Sequence, residues 1–175
     1  MSRRSIVLIT SLALGSVVSG CGAKKEGDKP AAGDKVSGAK PAGDKAAGGG
    51  AVKLAKLGLA LDAPGEVAVG DAVVGDGHML QGSGIGALSV EIAKAPQTID
   101  EAKEDAKMYT PANLKADTLP DGWALTFENK GSAGVNFFVD VRRTIDGKLI
   151  KCSTTGADAG QAAAALAACK SLRKG

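Results

Sequence analysis

The chain has 175 residues, with 25 glycines, only one Trp, one Tyr and three Phe, and a formal net charge of +3. That excess lies before residue 51: residues 51–175 hold fourteen Lys and Arg against fifteen Asp and Glu. A near-neutral region with so few rings argues against a nucleic-acid partner, which calls for a basic footprint interleaved with stacking aromatics.

At the start of the chain, Arg3 and Arg4 precede an apolar run from Ile6 to Val18. A charged beginning and a short apolar stretch have the form of an export signal, and the run is too short to cross a bilayer as a mature helix. Val18-Ser19-Gly20-Cys21 follows at once. This stretch resembles the bacterial lipobox. The resemblance implies a signal peptide over residues 1–20, cleavage between Gly20 and Cys21, and lipid on the Cys21 thiol. It also implies two or three acyl chains, and at about 0.8 kcal/mol per buried CH₂ these anchor a protein stably where a single chain is marginal. Because Gly22 and Ala23 stand where an inner-membrane retention Asp would be, the same resemblance implies the outer membrane, facing the periplasm or the surface.

Residues 21–50 read as a flexible linker. Between Gly22 and Gly50 there are eight Gly, seven Ala and six Lys, and no Leu, Ile, Phe, Trp, Tyr or Met. Such a composition cannot bury a core. The segment Pro30-Ala31-Ala32-Gly33-Asp34-Lys35 returns as Pro41-Ala42-Gly43-Asp44-Lys45, a duplication within a spacer rather than a solenoid repeat. As a coil it would reach on the order of 30 Å.

Residues 51–175 suffice for one globular domain. Leu57, Leu59 and Leu61 alternate with Gly58 and Ala60 before Asp62-Ala63-Pro64-Gly65 breaks the run, which predicts a strand and a turn. Val67 to Val74, interrupted at Gly70-Asp71, predicts short pieces of sheet; His78 to Gln81 and Ala87 to Ala93 predict two more strands. Gly82-Ser83-Gly84-Ile85-Gly86 lacks the spacing of a phosphate loop and reads as the turn between them. His78 is the sole histidine. It reads as a surface residue beside a glycine, and a multi-histidine metal site is excluded.

Thr98-Ile99-Asp100-Glu101 matches a capping box, so a helix starts there, ends before Pro111 and turns Ile99, Ala102, Ala106 and Tyr109 inward. Its Asp100, Glu101, Glu104 and Asp105 read as a solvated face, since Lys103 and Lys107 stand among them. A meander of three strands follows. Trp123, Leu125 and Phe127 point one way; Lys130 to Gly134 turns the chain; Val135, Phe137, Val139 and Val141 oppose Asn136, Phe138, Asp140 and Arg142; and Asp146-Gly147 predicts a tight hairpin into Leu149 to Ser153. Phe138 is thereby left among polar neighbours. Arg142 and Arg143, adjacent on one strand, face opposite ways and form no joint anion clamp.

An alanine-rich helix closes the chain from Asp158 to about Leu172, with Ala162, Ala165, Leu166, Cys169 and Leu172 on one stripe. With Cys21 lipidated, Cys152 and Cys169 remain as an even pair in an exported protein, which predicts a disulfide pinning that helix to the sheet. The fold class is therefore α+β: an antiparallel sheet flanked by a central and a C-terminal helix.

In its element order the region from residue 57 to 172 resembles the PsbP-like fold. Asp121-Gly122-Trp123-Ala124-Leu125-Thr126-Phe127 and Cys169-Lys170-Ser171-Leu172-Arg173 resemble uncharacterised lipoproteins of myxobacterial type. Neither resemblance implies an activity. The expected role is a membrane-anchored lipoprotein whose domain binds or supports something in the envelope without catalysis, cofactor or metal, its partner an envelope protein or the cell wall. The alternative is a periplasmic carrier of a small apolar or anionic ligand.

Overall fold

The computed structural model describes residues 45–46, 49–132, 134–156 and 158–175. The expected signal peptide, Gly20, Cys21 and the linker up to residue 44 lie outside the described residues.

Eleven strands and two α-helices make up the described residues: β1 (Lys45–Ala46), β2 (Gly50–Leu54), β3 (Leu59–Ala63), β4 (Val67–Asp71), β5 (Gly77–Gly82), β6 (Gly86–Ile92), α1 (Ile99–Ala106) with a 3₁₀ turn at Lys107–Tyr109, β7 (Ala112–Leu119), β8 (Gly122–Gly131), β9 (Gly134–Ile145), β10 (Lys148–Gly156), α2 (Ala159–Lys170) and β11 (Arg173–Lys174). The fold is α+β. One eight-stranded sheet has the order β1-β4-β5-β6-β10-β9-β8-β7, and a second, small sheet the order β11-β3-β2. All pairings are antiparallel.

Local signals place most of these elements. In α1 the Glu101 amide donates to Thr98 Oγ1 at 3.2 Å, and the Thr98 amide donates to Glu101 Oε2 at 2.7 Å, which closes the capping box in both directions. The Thr98 amide, and after it the Thr98 hydroxyl donating to the same oxygen at 2.9 Å, hold the Glu101 carboxyl below its usual range. At the β9–β10 turn Asp146 and Gly147 both take positive φ, 52° and 74°, the backbone that a two-residue hairpin twisted with its strands requires. Asp158 caps α2, accepting from the amides of Gly160 and Gln161.

Other elements depart from the sequence reading. The meander has four strands, because β7 pairs with β8 along the outer edge. β7 has mostly exposed side chains, and with only Leu114 and Leu119 packed against the core it leaves no apolar alternation to read. Backbone pairing also reaches into the expected linker: Lys45–Ala46 pairs with Val67–Ala68, and Gly50 pairs with Ala63. Leu57 lies in the turn between β2 and β3 rather than in a strand, yet it is buried. β4 runs through Gly70-Asp71 and stops there, leaving Val73 and Val74 exposed on the following loop.

Apolar side chains fill both faces of the large sheet. On one face, Leu80, Leu88, Val90, Val141, Ile150 and Cys152 pack against the small sheet and the alanine face of α2. On the other, Trp123, Leu125 and Phe127 pack against Ala102 and Ala106 of α1. Phe138 belongs to this second face. It pairs with Phe127 across β8 and β9, the rings stacked 4.5 Å apart, and Tyr109 lies 5.2 Å from it. The parity read from the sequence was right, and what changes the meaning of Phe138 is that α1 covers its side of the sheet.

Candidate functional site

Cross-strand register sets the floor of a cleft. Leu125 pairs with Asp140, Trp123 with Arg142, Asp140 with Ser153, Arg142 with Lys151, Ser153 with Ser89 and Lys151 with Glu91. Paired residues face the same side, so polar and charged side chains continue the row that Trp123, Leu125 and Phe127 begin. α1 rests on β8 and leaves the row from β9 to β5 open. The resulting cleft holds about 530 Å³, with Asp140 and Arg142 on its floor, Asp105, Gln97 and Tyr109 along the α1 side, and Met79 and Ser89 opposite. It continues past Gln97, Asp105, Arg142 and Lys151 into a second hollow of about 650 Å³ beside Glu91, Glu101 and Lys94. Sizes of this order are those of small-molecule sites.

The cleft concentrates partly buried polar side chains. Among the described residues, the buried side-chain atoms with no hydrogen-bond partner are Gln97 Oε1, Asp140 Oδ1 and Arg142 Nε, and all three residues line this one cleft. Arg142 Nε and Asp140 Oδ1 stand 3.3 Å apart as an ion pair, so these two atoms face each other. Lys151 lies 3.4 Å from Glu91, and the Arg142 guanidinium sits 6.0 Å above the Trp123 ring. Gln97 is positioned from both ends, its side-chain amide donating to Asp105 Oδ2 at 2.8 Å and its carbonyl accepting from Trp123 Nε1 at 2.8 Å. A buried polar atom left without a partner, as Gln97 Oε1 is, costs about 1–3 kcal/mol.

Burial pushes the Asp140 carboxyl above its usual range, against the opposing pull of Arg142 and Lys151, and Glu91 adds to the rise. The folded protein therefore disfavours ionised Asp140 relative to the unfolded chain. Below the unfolded carboxylate range the group is protonated in both states and its contribution to stability is complete; as pH climbs through the raised folded value, that contribution is lost. Asp140→Asn, which keeps the shape and removes the charge, is expected to raise stability at pH 7 by about 0.5–1 kcal/mol. The gain should vanish below about pH 4, where wild-type Asp140 is neutral as well. Urea unfolding at the two pH values measures it.

Other residues singled out in the sequence serve the frame. His78 is buried, contrary to the surface expectation: it follows Gly77 and precedes Leu80 on a strand whose inner face is core. Its Nε2 accepts from the Lys56 amide at 3.2 Å, which places the proton on Nδ1, 3.3 Å from the Gly70 carbonyl. Both nitrogens are engaged by backbone and neither reaches the cleft. Arg142 and Arg143 do face opposite sides. Arg143 forks onto Asp121 through Nε at 3.0 Å and Nη2 at 2.8 Å, and its Nη1 donates to the carbonyls of Lys170 and Leu172, both at 2.7 Å. Gly82 to Gly86 is the hairpin turn expected, with Ile85 buried beneath it. Asp100, Glu101 and Glu104 lie on the exposed side of α1; Asp105 is also exposed but reaches the cleft rim through Gln97. Cys152 and Cys169 stand at disulfide distance with Cα atoms 5.7 Å apart, both fully buried. Cys21, the expected lipid site, is outside the described residues.

Sequence reading passed over Gln97 and Asp140. A trace was visible in the run Phe138, Asp140, Arg142, where an aromatic shares a strand face with charges, a combination a plain solvent-facing edge has no need of. Among the described residues no group of three or more His, Cys, Asp or Glu side chains is placed to hold a metal ion, and no helix is long and apolar enough to cross a membrane. Scanned against protein-family models and against curated proteins, the chain matches none.

Proposed function

We propose that the protein is an outer-membrane lipoprotein, anchored through lipid on Cys21 and held off the bilayer by its linker, whose α+β domain is a non-enzymatic binding module of PsbP-like type. One observation carries the binding part of this reading: an open cleft of about 530 Å³ whose floor is a row of polar and charged side chains, Asp140, Arg142, Lys151 and Ser153, continuing an otherwise apolar sheet face. The anchoring part rests on the run Val18-Ser19-Gly20-Cys21 and on the pairing of the other two cysteines, which leaves Cys21 as the thiol for acylation. A likeness to uncharacterised lipoproteins of myxobacterial type belongs to the same proposal and adds no activity to it.

A second reading, a carrier of a small apolar ligand, has its own support on the opposite face. There a slot of about 260 Å³ lies between the sheet and α2, walled by Phe137, Val139, Ala162 and Leu166. It is smaller, and none of those floor residues lines it.

Two measurements test the proposal. In the native host, radiolabelled palmitate should be incorporated into the wild-type protein and not into Cys21→Ser, which should also leave the outer-membrane fraction; labelling that persists in the variant refutes the anchor. Native mass spectrometry of the full protein purified from that host should show a bound small molecule lost in Asp140→Asn, whereas a clean apo mass counts against the binding module.

A further inference from the structure

Resting on the binding-module reading, we infer that the cleft takes a neutral, hydroxyl-rich ring compound, a mono- or oligosaccharide. The cleft is lined by donors and acceptors together, Arg142 and Lys151 beside Asp140, Gln97 and the hydroxyls of Ser89 and Ser153. A hydroxyl donates one hydrogen and accepts on two lone pairs, so neighbouring hydroxyls satisfy such a mixed set without bringing charge into the site.

Charge balance points the same way. In the first hollow Asp105 and Asp140 are matched by Arg142 and Lys151; across both hollows Glu91 and Glu101 are added against Lys94, for a net of −1. No strong field of either sign draws an ion in. An anion at Arg142 would sit against Asp140, 3.3 Å away, and a cation at Asp140 would sit against Arg142. An apolar chain would bury the floor's charges without replacing their hydrogen bonds with water.

The walls fit a ring with one polar rim and one C–H face. Tyr109, Phe127 and Phe138 form an aromatic end wall, Tyr109 half exposed, while Ser89 and Ser153, paired across β6 and β10, add hydroxyls to the floor. The two hollows share Gln97, Asp105, Arg142 and Lys151, so the trough accommodates more than one ring in line.

Calorimetric titration of the full protein in detergent, with melting temperature as a second readout, tests this with five probes. Glucose, N-acetylglucosamine and its β-linked disaccharide represent the inferred class, the dipeptide glycyl-alanine a zwitterion of similar size, and decanoate an apolar chain. At least one saccharide should bind and raise the melting temperature, and Asp140→Asn and Arg142→Gln should each weaken it tenfold or more while both variants still melt cooperatively. Binding of glycyl-alanine or decanoate with that same dependence, and of no saccharide, overturns the saccharide inference and leaves the binding module standing. Saccharide binding indifferent to both substitutions overturns the inference as well, since it places the sugar elsewhere. No binding by any probe also overturns the inference, and only a clean apo mass of the native protein alongside it would bring down the binding module.

Discussion

Replacing Cys152 and Cys169 together by alanine is expected to cost the domain about 3 kcal/mol, the loop-closure entropy returned to the unfolded chain when a bond of this span is removed. The two residues are 17 apart in sequence. The magnitude is large relative to what else holds α2 in place. The helix buries Ala162, Ala165 and Ala168 alongside Cys169, and an alanine methyl offers far less apolar area than the leucine usual at such positions. Both sulfurs lie in the core shared with Val90, Val141 and Ile150, so the double variant also loses packing there. A fall in melting temperature on the order of 10 °C relative to the oxidised wild type is the expected reading. An unchanged value would mean that alanine packing alone seats the helix.

Arg143→Leu is expected to cost about 2–3 kcal/mol through a different route. The guanidinium joins the β7–β8 turn, by its fork onto Asp121, to the last carbonyl of α2 at Lys170 and to that of Leu172 just beyond it. Its side chain is only 16% exposed, so removal strands the Asp121 carboxylate and two helix-end carbonyls in a site that water reaches poorly. Arg143→Lys restores the charge but not the planar fork, and should recover less than half of the loss. Chemical denaturation of the three proteins measures both steps, and equal stability of the lysine variant and the wild type would show that charge alone suffices. The same register leaves Gly122 opposite Arg143, where a Cβ would stand 1.9 Å from the Arg142 carbonyl. Glycine is what lets the strands approach there.

These two expectations concern the face that stability built, and the Asp140→Asn prediction concerns the face it left incomplete. On the α2 side polar groups such as Arg143 and His78 have partners. On the α1 side Gln97 Oε1 has none and Asp140 is held buried beside Arg142, and removing a charge there is expected to stabilise. The difference between the faces is what makes the cleft the functional candidate rather than the larger core.

How much of this was legible in the sequence differs by the range of the interaction. Thr98 and Glu101 announced α1 because a capping box closes within four residues, and Asp146-Gly147 announced its hairpin because only two residues carry the turn. Strand parity separated Arg142 from Arg143 and put Phe138 beside Asp140. Cys152 and Cys169 were paired by counting, and the structure brings them together. β7 escaped, since an edge strand with mostly exposed side chains, whose Leu114 and Leu119 alone reach the core, has no apolar rhythm. His78 was misplaced because its two partners, the Lys56 amide and the Gly70 carbonyl, come from other segments.

By itself, then, the sequence determined the local elements and the side of its strand on which each residue stands, because helix caps, turns and period-two alternation are settled among near neighbours. Only the tertiary structure decided what covers each side. Helix α1 lies over β8, so Phe138, stacked on Phe127, is partly buried against that cluster, while Asp140 and Arg142, two and four residues further along the same face, became the floor of an open cleft. That outcome depends on where a short helix comes to rest on an eight-stranded sheet, through contacts between residues far apart in the chain.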